Sequence, residues 1–206
     1  MKVNSDLKLV FPVKYADEPD ETGKAIPLVW AYHIPIDRDI FELNFELISK
    51  TYVKLFGNKS DYSVGIALKI AKLTLAKIGK EEAASLGVKL NPADALFGEL
   101  MRLTTILAPT SAGYSEIPVP TAISTKVIDD EEWSEALSAL IFFTCPYALA
   151  ARAEKIDTAQ SFASMLQGST TSLTPSEWLA SLPKSTPAET SPPPAEESAP
   201  VSLLPS

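Results

Sequence analysis

Residues 129–168 read DDEEWSEALSALIFFTCPYALAARAEKIDTAQSFASMLQG. Four consecutive acidic residues open the stretch, where carboxylates complement the positive end of a helix dipole. Residues 137–151 are then apolar on nearly every side. A helix of that pattern has no face to give to water and must be enclosed, which predicts that the other elements pack about it. Pro146 removes one backbone hydrogen bond and crowds the carbonyl of Phe142, so a kink or a junction of two helices is expected there. Beyond it, Ile156, Ala159, Phe162, Ala163 and Leu166 restore a one-sided stripe.

Upstream, residues 7–15 alternate, with Leu7, Leu9, Phe11 and Val13 on one face and Lys8, Val10 and Lys14 on the other. That is the pattern of a half-buried strand, and Pro12 points to an edge position. Residues 17–24, DEPDETGK, form a polar turn, and residues 27–36, PLVWAYHIPI, a second strand bounded by prolines. The two are expected to make a small antiparallel hairpin. Asp37 caps a helix over residues 38–56, in which Phe41, Phe45, Ile48, Tyr52 and Leu55 recur at helical spacing before Gly57. Another helix is expected over residues 61–80, with an inner stripe of Val64, Ala67, Leu68, Ala71, Leu75 and Ile78, and Gly65 as a weak point. Lys69, Lys72 and Lys80 share its outer side, as a solvated face or as a contact for an acidic protein partner. Asn91-Pro92, with Asp94 following, starts a helix that carries Leu96, Leu100, Leu103 and Leu107 to Pro109. Residues 110–127 then read as a connection, long enough to be an extended segment or a functional loop.

Downstream of Gly168, Thr174-Pro175-Ser176-Glu177 is a capping box with proline at the first helical position. It opens a helix of about two turns presenting Trp178, Leu179 and Leu182, too short to stand alone in water. That helix must dock on its own domain or on a partner. From Pro183 the chain is Pro, Ser, Ala and Glu with few bulky apolar residues, the composition of a disordered tail, ending in the apolar group Val201-Ser202-Leu203-Leu204. The expected architecture is mainly α (α+β). An N-terminal β-hairpin packs on a bundle of about five helices within residues 1–168; a linker and short amphipathic helix occupy 169–182; a Pro/Ser-rich tail occupies 183–206.

The totals exclude several function classes. A formal charge of −8 opposes direct nucleic-acid binding, which needs clustered Lys and Arg. Cys145 is the one cysteine, so no internal disulfide or Cys-rich zinc site can form; within its apolar stretch it reads as a small buried hydrophobe. No secretory signal is apparent at the N-terminus, and the run over 137–151 is too short to span a bilayer, which takes roughly 18–20 apolar residues. A cytosolic protein without a membrane span is therefore expected. No phosphate-cradling Gly-rich loop, Gly-x-Ser-x-Gly elbow or Cys-x-x-Cys pair occurs. His33, the single histidine, lies between Tyr32 and Ile34 in a strand and reads as structural; a carboxylate site that recruits it is the enzymatic alternative. The expectation is a non-enzyme with no cofactor, no metal and no catalytic residues.

Several blocks together carry a resemblance: KLVFPVKYADE, PLVWAYHIPIDRDIFELNF, RLTTILAP, and ALSALIFFTCPYALAA followed by GSTTSLTPSEWLASLP. Over residues 7–183 the chain resembles the tail assembly chaperones of tailed bacteriophages with long non-contractile tails (siphophages). The resemblance lies in overall pattern and carries over no catalytic residue. It implies a protein that coats the long, helical tape measure protein, helps recruit tail tube subunits, and leaves before the virion is complete. It also implies action in the host cell cytoplasm, and leaves self-association and a frameshifted longer product open. A structural minor tail or neck protein retained in the particle is the alternative. The candidate partner-binding residues are Trp178, Leu179 and Leu182 on the short helix, and Lys69, Lys72 and Lys80 on the outer side of the earlier one.

Overall fold

The computed structural model describes residues 7–57, 63–111 and 113–181. In chain order the elements are β1 (Lys8–Tyr15), β2 (Pro27–His33), α1 (Arg38–Leu43), α2 (Phe45–Phe56), α3 (Val64–Leu86) and α4 (Pro92–Arg102). They continue with β3 (Thr104–Thr110), β4 (Gly113–Pro118), α5 (Val119–Ser124), α6 (Asp130–Leu149), α7 (Lys155–Met165), β5 (Ser169–Thr171) and α8 (Pro175–Ser181). The fold is mixed α+β. Among the described residues it has eight helices and one five-stranded antiparallel sheet of order β4-β3-β2-β1-β5. The expected tail over 183–206 and Leu182 lie outside the described residues.

α6 is the buried element that residues 129–168 announce. Residues 136–147 are buried without a break, and α2, α3, α4, α7 and the sheet close over them. Asp129 caps the helix by accepting from the Glu132 N–H at 2.7 Å, while Glu132 accepts from the Asp129 N–H at 2.8 Å, so two end donors are satisfied reciprocally. Pro146 does not divide or end α6: the helix runs on to Leu149, and the break comes at Ala150. The proline costs one bond to the Phe142 carbonyl only a turn before the helix would end, so little ladder is left to disrupt. At the centre, Phe142 meets Phe56 of α2 at 5.1 Å and Phe162 of α7 at 5.3 Å between ring centroids, and Phe56 meets Phe162 at 5.6 Å. Three helices are joined by one aromatic contact, with geometry in the range where such pairs add to area burial.

β1 and β2 pair antiparallel as expected, with Phe11 opposite Ala31, but the hairpin is the middle of a larger sheet. Residues 103–107 leave the helix that the leucine spacing suggested. α4 stops at Arg102, and Thr104 begins a strand that pairs with β2, Ile106 opposite Ala31. Leu103 and Leu107 fit both periods; the β-branched run Thr104-Thr105-Ile106 fits only the strand. The expected connection over 110–127 contains β4 and α5. Residues 38–56 likewise divide at Asn44, whose Nδ2 donates to the Ile40 carbonyl at 2.8 Å and competes with the backbone ladder there.

The sheet buries residues on both faces, fully toward the helices and in part on the other side. Leu9, Phe11, Val29, Ala31, Ile106 and Ala108 point into the helical layer, whereas Val10, Tyr32 and Leu107 point the other way and are covered by Trp178 of α8. The short amphipathic helix thus docks on its own domain. α3 extends past the expected Lys80 to Leu86, where Gly87 takes the left-handed conformation (φ 67°) and the Val88 N–H reaches the Ala83 carbonyl at 3.0 Å. α3 crosses α4 so closely at Gly79 that a β-carbon there would strike Asn91 Oδ1 and approach the Ala93 Cβ to 2.9 Å.

That close approach separates two glycines of the helical layer. Gly79→Ala should lower stability by ~1–3 kcal/mol through overpacking. Gly98→Ala, in α4 with nothing within 4 Å of its added carbon, should raise it by ~0.5–1 kcal/mol through helix propensity. Urea denaturation of the two variants measures both, and equal effects would contradict the packing described at Gly79.

Candidate functional site

β5 pairs with β1 only over Lys8–Val10, so among the described residues no strand lies beside the second half of β1 on that side. The space is bounded instead by α3, α6 and the end of α7, which leaves a half-open cleft of about 370 Å³. Its floor is apolar: Phe11 and Val13 from β1, Leu68 from α3, Ala136 and Ala139 from α6, and Leu166 beyond α7. Its rim is charged and mixed in sign, with Lys69 from α3 and Glu132 and Glu135 from α6.

The rim is held by contacts that also hold the fold. Lys14 Nζ lies 3.1 Å from Glu132 Oε1, so the side chain that completes the α6 capping box also ties the helix to β1. Both partners are part-exposed, and an ion pair of this kind contributes little on its own. At the far end the Tyr15 hydroxyl donates to Gln167 Oε1 at 3.2 Å, and burial raises the Tyr15 pKa above its ordinary value. Ser138 fixes the back wall: its Oγ donates to the Leu68 carbonyl at 2.8 Å and accepts from the Lys72 N–H at 3.2 Å. Lys72 Nζ donates to Ser134 Oγ at 2.8 Å, one turn earlier on α6.

The candidate partner-binding residues are placed as follows. Lys69 is exposed and lines the cleft, Lys80 is exposed three turns farther along α3, and Lys72 is half-buried with its ammonium turned to α6. The three do not form one outer face. Trp178 is 8% exposed and packs edge-on to Trp30 at 5.3 Å, with Leu179 against the same cluster. The capping box expected for α8 is present: the Glu177 carboxylate accepts from the Thr174 N–H and hydroxyl, both at 2.8 Å, which lowers the Glu177 pKa. What sequence reading missed was the cleft itself, including Met165, which is 44% exposed on it. The only trace in the sequence was the Asp129–Glu132 capping pair; the partner residue Lys14 is 118 positions away from Glu132.

The two groups most often recruited for catalysis are sealed from solvent. His33 is fully buried, and its Nδ1 lies 2.9 Å from Thr104 Oγ1. The Thr104 hydroxyl donates its one proton to the Leu100 carbonyl at 2.7 Å, so the His33 Nδ1–H must be the donor to Thr104. Nε2 is then an acceptor that no described residue meets, and burial holds the His33 pKa down at about 3. Cys145 is buried likewise, its thiol pushed up to about 12. Among the described residues no group of His, Cys, Asp and Glu could hold a metal ion, and no helix is long and apolar enough to cross a membrane.

Chemically, then, the cleft offers apolar contact flanked by charges of both signs. Comparison with protein-family models, with curated proteins and with solved structures gives no match.

The histidine gives a pH signature. Its folded pKa lies below the unfolded value of about 6.5, so its contribution is complete above that pH and is lost as pH falls from 6.5 toward 3. Unfolding free energy should drop by up to ~1.4 kcal/mol per pH unit through that window. His33→Asn, which keeps a donor near Nδ1 and cannot titrate, should flatten the curve between pH 7 and pH 5; an unchanged slope would place its origin elsewhere.

Proposed function

We propose that the protein is a non-enzymatic tail assembly chaperone of a siphophage, which binds and solubilises the tape measure protein and helps recruit tail tube subunits in the host cytoplasm. The observation that carries this reading is the set of sequence blocks spread over residues 7–183 that resemble that family. The geometry adds physical support. A half-open cleft with an apolar floor and a rim of Lys69, Glu132 and Glu135 suits a segment of an amphipathic helix, whose apolar stripe enters while its flanking charges meet the rim. Met165 at the mouth is unbranched and polarizable, a side chain that adapts to varied apolar partners. A net charge of −8 opposes self-aggregation of a complex that holds an apolar client.

Strand addition is the less suitable mode at this site. The open half of β1 carries Pro12, which lacks a donor, and register shifts between Pro12 and Tyr15, features that blunt an edge against pairing. A helical client needs no strand edge.

Co-expression with the tape measure protein of the same phage should raise its soluble yield and give a complex that co-purifies. Introducing Met165→Asp with Lys69→Glu should weaken that complex about ten-fold or more, ~1.4 kcal/mol, with little change in melting temperature. No gain in solubility and no complex would refute the chaperone reading, while a complex insensitive to the double variant would move the client off the cleft. Purified particles should lack peptides spanning Trp133 and Trp178; their presence in stoichiometric amount would indicate a minor tail or neck protein instead.

A further inference from the structure

The outer face of the sheet is only half covered. Trp30 pairs across the strands with Leu107, and Leu107 with Glu116; this is the row on which Trp178 sits. The next row toward the hairpin turns is apolar and open. Pro109, paired with Tyr114, is exposed, Tyr114 is 40% exposed, and Leu28, two residues before Trp30 and on the same face, is 36% exposed. Rows on one face lie only about 7 Å apart, so this patch continues the footprint of α8.

The geometry points to the chain's own C-terminal segment, residues 182–206, as the occupant of that patch. The segment leaves α8 at Ser181, from a helix already seated on this face through Trp178. Its composition suits the surface. Of its 25 residues seven are proline, with Pro192-Pro193-Pro194 as the longest run. Proline-rich chain presents a preformed apolar ridge that docks against aromatic side chains, and Trp30 and Tyr114 supply them here. Reach is no obstacle: Pro192 follows Ser181 by 11 residues, ~34 Å at about 3.1 Å per residue. A tether this short gives an effective concentration in the millimolar range, so even a weak contact is well populated within one chain. A second copy or a foreign proline-rich peptide lacks that advantage. The inference goes beyond the client-binding reading and does not depend on it.

Paramagnetic relaxation in the full chain tests it. A nitroxide on Ser191→Cys labels one reactive thiol, because Cys145 is buried. Amide signals of Leu28, Trp30 and Tyr114 should lose at least half their intensity, while those of Leu86 and Leu90 in the helical layer keep theirs. The loss should shrink to that of a plain tether when Pro192, Pro193 and Pro194 are all replaced by serine, and also in Tyr114→Lys. Equal broadening in the serine variant would overturn the proposal. So would broadening in a mixture of spin-labelled and separate isotope-labelled chains, which would make the contact one between copies.

Discussion

An α-helix that is apolar around its whole circumference can persist in water only inside a sleeve of other elements, and α6 imposes that requirement on everything else. Its hydrophobic groups point in all directions, so no single layer satisfies it. α3 covers one side, α2 and α7 meet on another through Phe56 and Phe162, and the sheet supplies Leu9, Phe11, Val29 and Ala31. The aromatic junction at Phe142 shows the economy of the arrangement, since one side chain joins α6 to its sequence neighbour α7 and to the distant α2. Polar contacts then fix register where apolar packing is indifferent to it. Ser138 bonds to the α3 backbone at Leu68 and Lys72, and Glu132 holds both the α6 cap and Lys14.

Those requirements explain where the open surface lies. β5 has only three residues, because the chain must turn from α7 at Gln167, in a left-handed conformation (φ 54°), and leave again for α8. A longer β5 would have covered β1 to its end and filled the cleft. α8 lies across the opposite face of the sheet for a related reason: Val10, Tyr32 and Leu107 alternate out of the strands and cannot be reached by the helical layer. A two-turn helix has too little surface to cover the whole face, and Leu28 and Tyr114 remain at its margin.

The sequence disclosed what local periodicity encodes. The enclosed helix, the β1–β2 hairpin, the start of α4 at Asn91-Pro92 and the capping box of α8 could all be read because each depends on residues within one or two turns. The sheet could not be read in full. Leu103 and Leu107 continue the α4 leucine spacing, and what makes Thr104–Thr110 a strand is the waiting edge of β2, a tertiary fact that overrides local preference. Pro146 does not mark a junction of two helices, because α6 runs on for three more residues before Ala150 turns extended. Lys69, Lys72 and Lys80 shared a face on a helical wheel, yet Lys72 turns to Ser134, and only the position of α6 decides that. The cleft was illegible because its walls come from four elements and no motif links them.

His33 shows how a polar group is accommodated in such an interior. Thr104 passes a hydrogen bond on to the Leu100 carbonyl at the end of α4, so the imidazole is anchored where helix turns into strand. The unmatched Nε2 carries a cost typical of a buried acceptor, on the order of 1–3 kcal/mol. That cost is tolerable only while the ring stays neutral, because protonation would place an unpaired charge among apolar side chains. The same burial that makes α6 the centre of the fold therefore removes the protein's one imidazole and one thiol from chemistry with solvent-borne molecules. Two surfaces stay open to solvent: the cleft with its apolar floor and charged rim, and the margin of the sheet face beside Trp178, where Tyr114 is exposed.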